Sequence, residues 1–268
     1  VFNLDPIIKN KPADSDFDEK VSIEFDHVTF VYPDGEEPVL QDVSFKANKG
    51  EMIAFIGSTG SGKSTLVNLV PRFYDVSSGS IKINGKDIRD YDVLELRDKL
   101  GVIPQKAVLF SGTIADNIRF GKKDASDEEV EYAAKVAQAY PFIMEKENGF
   151  DEEISEGATN VSGGQKQRLS IARALVRKAQ IYIFDDSFSA LDFKTDAILR
   201  KELKKEMTES IMLVVAQRIS SIMEADQIIV LNEGKVVGKG THHQLLKECQ
   251  IYHEIATSQL SEEELANA

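Results

Sequence analysis

An α/β fold, with a parallel core sheet joined to an antiparallel β subdomain and interrupted by a helical insertion, is predicted by three features of this 268-residue sequence. Short apolar runs recur in "EMIAFIG", "IYIF", "IMLVVA" and "QIIVLNEGKVV", the pattern of strands buried on both faces. Near the start, "VSIEFDHVTFVY" and "QDVSFKAN" alternate apolar with polar, as antiparallel strands do, with a turn at "PDGEEP" between them. From Lys106 to Lys178 apolar residues fall three and four apart instead, most clearly in "DEEVEYAAKVAQAYPFIMEKE".

In chain order, residues 1–20 form a linker or tether, because "NKPADSDFDEK" is polar and acidic with little to bury. Residues 21–104 carry the antiparallel strands and the first buried strand. Residues 105–178 are the helical insertion, residues 179–246 return to buried strands, and residues 247–268 are a helical tail. No internal repeat is visible.

The apolar content of 42% is that of a globular protein, and the net charge of −13 argues against nucleic acid as a partner. Phosphate neutralisation needs clustered Lys and Arg, whereas an acidic surface keeps a protein soluble. Cys249 is the only cysteine, so no intramolecular disulfide can form, and it is read as filler in a C-terminal helix. The first 20 residues carry acids where a secretory leader would be basic and then apolar. No apolar stretch approaches the roughly 20 residues needed to cross a bilayer. The chain starts at Val1 rather than Met and is read as a soluble fragment of a longer polypeptide.

Chemistry enters at "GSTGSGKST", Gly57 to Thr65, which fits G-x-x-x-x-G-K-[ST] between a strand and the helix-like "STLVNLV". Gly57, Gly60 and Gly62 allow the backbone to turn its N–H groups inward, and the following helix adds the positive end of its dipole. Ser58, Thr59, Ser61 and Thr65 complete the loop. Such a loop binds polyphosphate, with Lys63 reaching the β and γ phosphates of ATP and Ser64 holding Mg²⁺. Asp185, ending the apolar strand "IYIF", is then the Mg²⁺-holding acid of a P-loop NTPase. The predicted fold class sharpens to an α/β P-loop NTPase (RecA-like) core with an antiparallel β subdomain and a helical insertion.

"VSGGQKQRLSIARAL", Val161 to Leu175, resembles the signature of ATP-binding cassette (ABC) proteins. Independently of any family, Ser162, Gly163, Gly164 and Gln165 open a predicted helix with a hydroxyl and bare backbone, a second anion site. The resemblance extends over about Val21 to Leu246. It implies that Gln105 in "VIPQKAVLF" is a Q-loop residue, placed among both the catalytic residues and the Mg²⁺ ligands. It implies that Asp192 in "SALD" belongs to the D-loop and that Tyr32 stacks on adenine. It further implies a head-to-tail dimer, in which each signature closes on the other chain's phosphate loop. "TIADNI" and "VYPDG" resemble the nucleotide-binding domains of exporters.

Two positions depart from the family pattern in the same half-site. Asp186 stands where the family places a glutamate that orients or deprotonates the attacking water. Its side chain is shorter by roughly 1.5 Å, and a misplacement of about 1 Å can cost on the order of a hundredfold, so the carboxylate is expected to fall short. Gln217, in "VVAQRIS", replaces the usual histidine of the switch segment and cannot carry charge or shuttle a proton. Gly157, in "ISEGATN", stands where an arginine is common.

Together these imply an ABC exporter domain that binds Mg²⁺ and ATP while its own hydrolysis is impaired, as in the degenerate-site chain of heterodimeric bacterial multidrug-type exporters. The expected partners are a second, catalytically intact ABC chain and transmembrane domains preceding Val1 on the same polypeptide. The segment from Phe110 to Phe142 is expected to contact those domains, placing the chain at the cytoplasmic face of the membrane. The alternatives are a soluble ABC ATPase acting on DNA or ribosomes, and a nucleotide-binding regulatory module that never hydrolyses.

Overall fold

The computed structural model of the chain describes residues 8, 21–261 and 265. The expected linker, apart from Ile8, and most of residues 262–268 lie outside the described residues. Strand β1 (Ser22–Phe30) pairs antiparallel with β2 (Leu40–Asn48) across the predicted turn. Strand β3 (Met52–Gly57) leads into helix α1 (Lys63–Leu69). Strands β4 (Ser78–Ile83) and β5 (Lys86–Asp87) complete a small antiparallel sheet of order β2-β1-β4-β5. Helix α2 (Val93–Asp98), capped by Asp92, returns the chain to β6 (Leu100–Ile103).

The insertion follows. A two-residue strand β7 (Gly112–Thr113) precedes α3 (Ile114–Arg119), α4 (Asp127–Val136) and α5 (Tyr140–Met144). Strand β8 (Glu153–Ile154) pairs with β7, and α6 (Gly163–Leu175) ends the segment. Helices α3, α4 and α6 start on capping boxes, Thr113 with Asp116, Ser126 with Glu129 and Ser162 with Gln165. In each, hydroxyl and side chain satisfy donors that the first turn leaves unpaired. The helical pattern of residues 127–147 divides into two helices. Gln138 adopts a left-handed conformation, φ 57°, and Pro141 lies in the first turn of α5, where its missing N–H costs no helical bond.

Strand β9 (Ile181–Asp185), helix α7 (Phe193–Glu206) and strand β10 (Ile211–Val215) rebuild the core. A hairpin of β11 (Gln227–Asn232) and β12 (Lys235–Gly240) closes it, before α8 (His242–Glu248) and α9 (Gln250–Gln259). The central sheet runs β12-β11-β3-β10-β9-β6, parallel except at the β11–β12 hairpin. Alternate residues of each inner strand enter opposite cores. Ile53, Phe55, Ile183 and Leu213 face the antiparallel sheet and α1, whereas Ala54, Ile56, Phe184 and Val214 face the insertion and the C-terminal helices. Both faces are covered, which is why these strands read as unbroken apolar runs. Helix α8 runs across position 246, and Tyr252 and Ala256 of α9 are fully buried in the same core as the insertion. Among the described residues no helix is long and apolar enough to cross a membrane.

Within the insertion, Glu129 on α4 joins the turn after α3 to the segment that leads into β9. Its carboxylate accepts from Lys122 Nζ and from Lys178 Nζ, each at 2.9 Å to Oε1, and from the Ser126 backbone N–H. The Lys122 and Lys178 bonds, with the Ser126 cap, hold its pKa down from 4.5 to about 2. A depressed carboxylate pKa stabilises the fold above the unfolded value and ceases to do so as pH falls through the folded value. Glu129→Gln, which keeps the capping geometry, is therefore expected to lower the urea midpoint at pH 7. The gap to wild type should shrink between pH 4.5 and about 2, measured by urea titration at stepped pH.

Candidate nucleotide site

Parallel pairing brings the chemistry to one edge. Val215 lies opposite both Phe55 and Asp185, so Gly57, Asp185 and Gln217 all sit at the carboxyl end of three neighbouring strands. That edge is where open α/β sheets hold their ligands. Two of the loop glycines have no substitute. A Cβ at Gly57, φ 153°, would fall 2.0 Å from Leu231 O, and one at Gly62, φ 98°, would fall 2.9 Å from Val39 O.

Lys63 folds back under the loop. Its ammonium donates to Gly57 O at 2.9 Å, Ser58 O at 2.7 Å and Ser61 Oγ at 3.3 Å. Burial lowers its pKa, against the pull of the Asp186 and Asp185 carboxylates. Ser64 Oγ donates to Asp185 Oδ1 at 2.8 Å, so the two expected Mg²⁺ ligands are already side by side. Burial raises the Asp185 pKa, the Ser64 bond opposes the rise, and the neighbouring Asp186 adds to it. A hydroxyl beside a carboxylate is a hard-oxygen donor set that fits Mg²⁺. Among the described residues no group of three or more His, Cys, Asp or Glu could hold a metal, so phosphate oxygens and water must complete such a shell. Tyr32 lies at the far end of the loop, its hydroxyl 3.0 Å from Thr65 Oγ1 and its ring edge-on to Tyr74 at 5.1 Å.

The three expected catalytic residues meet on one atom. Asp186 Oδ2 accepts from Gln105 Nε2 at 2.9 Å and from Gln217 Nε2 at 2.6 Å. Asp186 is 7% exposed with φ 49°, an unusual conformation for a residue bearing a Cβ. Burial raises its pKa, which the Gln105 bond and the charges of Lys63 and Arg218 oppose. Gln105 thus contacts Asp186 rather than the Ser64–Asp185 pair.

The expected second anion site stands apart. Ser162 Oγ accepts from Gln165 N, and Gln165 Oε1 accepts from Ser162 N. A Cβ at Gly163 would meet nothing within 4 Å, whereas one at Gly164 would meet Ala190 O at 3.2 Å, so signature and D-loop are neighbours. Among the described residues no hydrogen bond joins Ser162–Gln165 to the phosphate loop. Asp192 caps α7, accepting from Thr195 N and Thr195 Oγ1, and those bonds hold its pKa down. Gly157 has φ 70° with its nearest neighbour 4.0 Å from a built Cβ, so the turn favours glycine without being crowded.

Two supporting residues escaped the sequence reading. Gln167 Nε2 donates to Pro104 O at 3.1 Å, fixing the peptide ahead of Gln105, and Ser187 Oγ donates to Ile103 O at 2.9 Å. Gln167 had a signal, because it shares the buried face of α6 with Ile171 and Ala174. Ser187 had none beyond its position after the paired aspartates.

Comparisons with known proteins bear on the family and the fold. The ABC transporter family model matches residues 40–189. An uncharacterized ABC transporter ATP-binding protein of Mycobacterium tuberculosis is 47% identical over 234 residues, covering 86% of this chain and 40% of that protein. A Staphylococcus aureus protein named "Putative multidrug export ATP-binding/permease protein" is 44% identical over 237 residues, covering 88% of this chain and 41% of its own length. The chain thus spans about two fifths of these curated relatives. Among solved structures, a bacterial Atm1-family ABC exporter with ATP bound superposes with a TM-score of 0.88 at 37% identity, over 94% of this chain and 44% of that one.

Proposed function

The chain belongs to the ABC transporter family, and on that premise we propose that it is the ATP-binding cassette of an exporter, closing head-to-tail on a second cassette to drive transport. The observation that carries this reading is the buried Lys63 ammonium inside the glycine-closed loop, beside the Ser64–Asp185 pair. In this reading a polyphosphate exchanges the neutral acceptors of Lys63 for anionic oxygens, a stronger class of hydrogen bond. Ser64 and Asp185 hold Mg²⁺, which supplies charge neutralisation at the transferred phosphoryl group. Tyr32 takes the base.

Asp186 is the weak member. Gln105 and Gln217 hold its carboxylate in place through Oδ2, but the side chain is one methylene shorter than glutamate's and leaves that carboxylate short of the attacking water. The proposal is that this site binds nucleotide but turns it over slowly, and that a partner with an intact carboxylate does most of the hydrolysis. Signature and D-loop serve that partner. Ser162 Oγ accepts from Gln165 N and so retains its proton for a phosphate oxygen, and Gly163 offers an open backbone. Export and membrane attachment rest on the relatives. The name of the Staphylococcus aureus protein joins a permease to an ATP-binding part, and this chain covers 41% of it. Exposed Phe110 and Phe120, under the Arg173 guanidinium at 5.2 and 5.5 Å, offer the insertion a surface for membrane-domain helices.

The test is Ser162→Arg in the assembled transporter. This chain's own ATP affinity should stay within about twofold, while turnover at the partner's phosphate loop should fall by about a hundredfold, the scale of a misplaced reacting group. Loss of this chain's own nucleotide binding would refute the head-to-tail arrangement.

A further inference from the structure

We propose that Gln259, the last residue of α9, is a positioning residue for Gln217, so that the C-terminal helix sets the geometry around Asp186. The inference rests on the reading of that site as a nucleotide site.

The segment after β10 needs outside help. Ile219 opens a single 3₁₀ turn, Ile219–Ser221, whose preceding residue Arg218 supplies no side-chain cap. The first N–H of such a turn has no partner within it. Here that N–H donates to Gln259 Oε1 at 2.8 Å, and Gln259 Nε2 donates to Gln217 O at 2.8 Å. One side-chain amide thus grips the carbonyl of residue 217 and the N–H of residue 219. With the Gln217 backbone held, its own amide reaches Asp186 Oδ2 at 2.6 Å.

Arg218 is enclosed by the same grip. Its guanidinium lies over the Phe193 ring at 5.0 Å and donates to Ser189 O of the D-loop at 3.3 Å. Releasing the grip loosens Gln217 and the D-loop contact together. The grip is firm because α9 is anchored elsewhere. Tyr252 and Ala256 are fully buried, and the Tyr252 hydroxyl lies 2.6 Å from His242 Nδ1 on α8. An exposed glutamine ordinarily samples many rotamers, whereas here both ends of the amide are engaged on one backbone segment.

The experiment compares the wild-type chain with Gln259→Met, which keeps length without the amide, and Gln259→Glu, which keeps the acceptor for the Ile219 N–H and loses the donor to Gln217. Four readouts are taken: hydrogen exchange of the Ile219 amide by NMR, the thermal midpoint, ATP affinity by calorimetry, and the single-turnover rate with radiolabelled ATP in a dimer whose partner has lost its own catalytic carboxylate. In Gln259→Met the Ile219 amide should exchange faster and the rate should fall about tenfold, a fraction of what a 1 Å misplacement can cost, with ATP affinity within twofold. Gln259→Glu should restore Ile219 protection and part of the rate. An unchanged rate in Gln259→Met overturns the proposal. So does a parallel fall of rate, affinity and thermal midpoint, which would show a structural role only. If the wild-type chain itself neither binds nor turns over ATP, the functional reading fails and the positioning role fails with it, a result visible before any variant is made.

Discussion

Lys63→Ala abolishes tight ATP binding, with calorimetry in the presence of Mg²⁺ showing an affinity loss of about a hundredfold or more. The ammonium is the fixed cation of the loop and already points its protons at the loop's interior, toward Gly57 O, Ser58 O and Ser61 Oγ. Truncating one partner of a buried hydrogen-bonded charge pair costs about 2–5 kcal/mol, and each 1.4 kcal/mol is about tenfold in affinity. The fold should survive, because the lysine is held below its usual pKa by burial, a sign that the empty site bears a cost for housing the charge. Unchanged affinity in a folded variant would mean that the loop is not a phosphate site.

The second large effect is a gain. Asp186→Glu together with Gln217→His should raise turnover at this site by about a hundredfold, while either change alone does much less. The geometry explains the coupling. Glutamate alone would carry its carboxylate into the amide of Gln217, which already lies 2.6 Å from Asp186 Oδ2. Histidine alone would face an acid still too short. The measurement is phosphate release from a dimer whose partner has lost its own catalytic carboxylate, so that any product comes from here. A wild-type chain already turning over at about 1 s⁻¹ or faster in that background, within the ordinary range for enzymes, would show that aspartate suffices.

Much of this site was legible in the one-dimensional text. The phosphate loop is contiguous, so Gly57 to Thr65 carries its own geometry in the spacing of its glycines. Asp185 was legible because a short, fully apolar run that ends in an acid reads as a buried strand reaching a sheet edge, and β9 ends there. Helix boundaries were less legible. The apolar spacing of residues 127–147 continues through the break at Gln138 and Pro141, because packing on the core requires apolar residues of both helices alike.

The sequence by itself determined the local reading: that Gly57 to Thr65 has the spacing of a phosphate loop and that an acid ends the strand at 185, while the family resemblance marked the acid at 186 and the amide at 217 as departures. Only the tertiary structure decided how these act on one another. Gln105 meets Asp186 across 81 positions and Gln217 meets it across 31, and Gln259 grips Gln217 from 42 positions away. Such meetings follow from strand order, since β9 and β10 are neighbours with Val215 opposite Asp185, and from the seating of α9 on buried Tyr252 and Ala256. A hydrogen bond of 2.6 Å depends on placements of a few tenths of an ångström, and it is the packing of both cores, rather than any local pattern of residue types, that sets distances so fine.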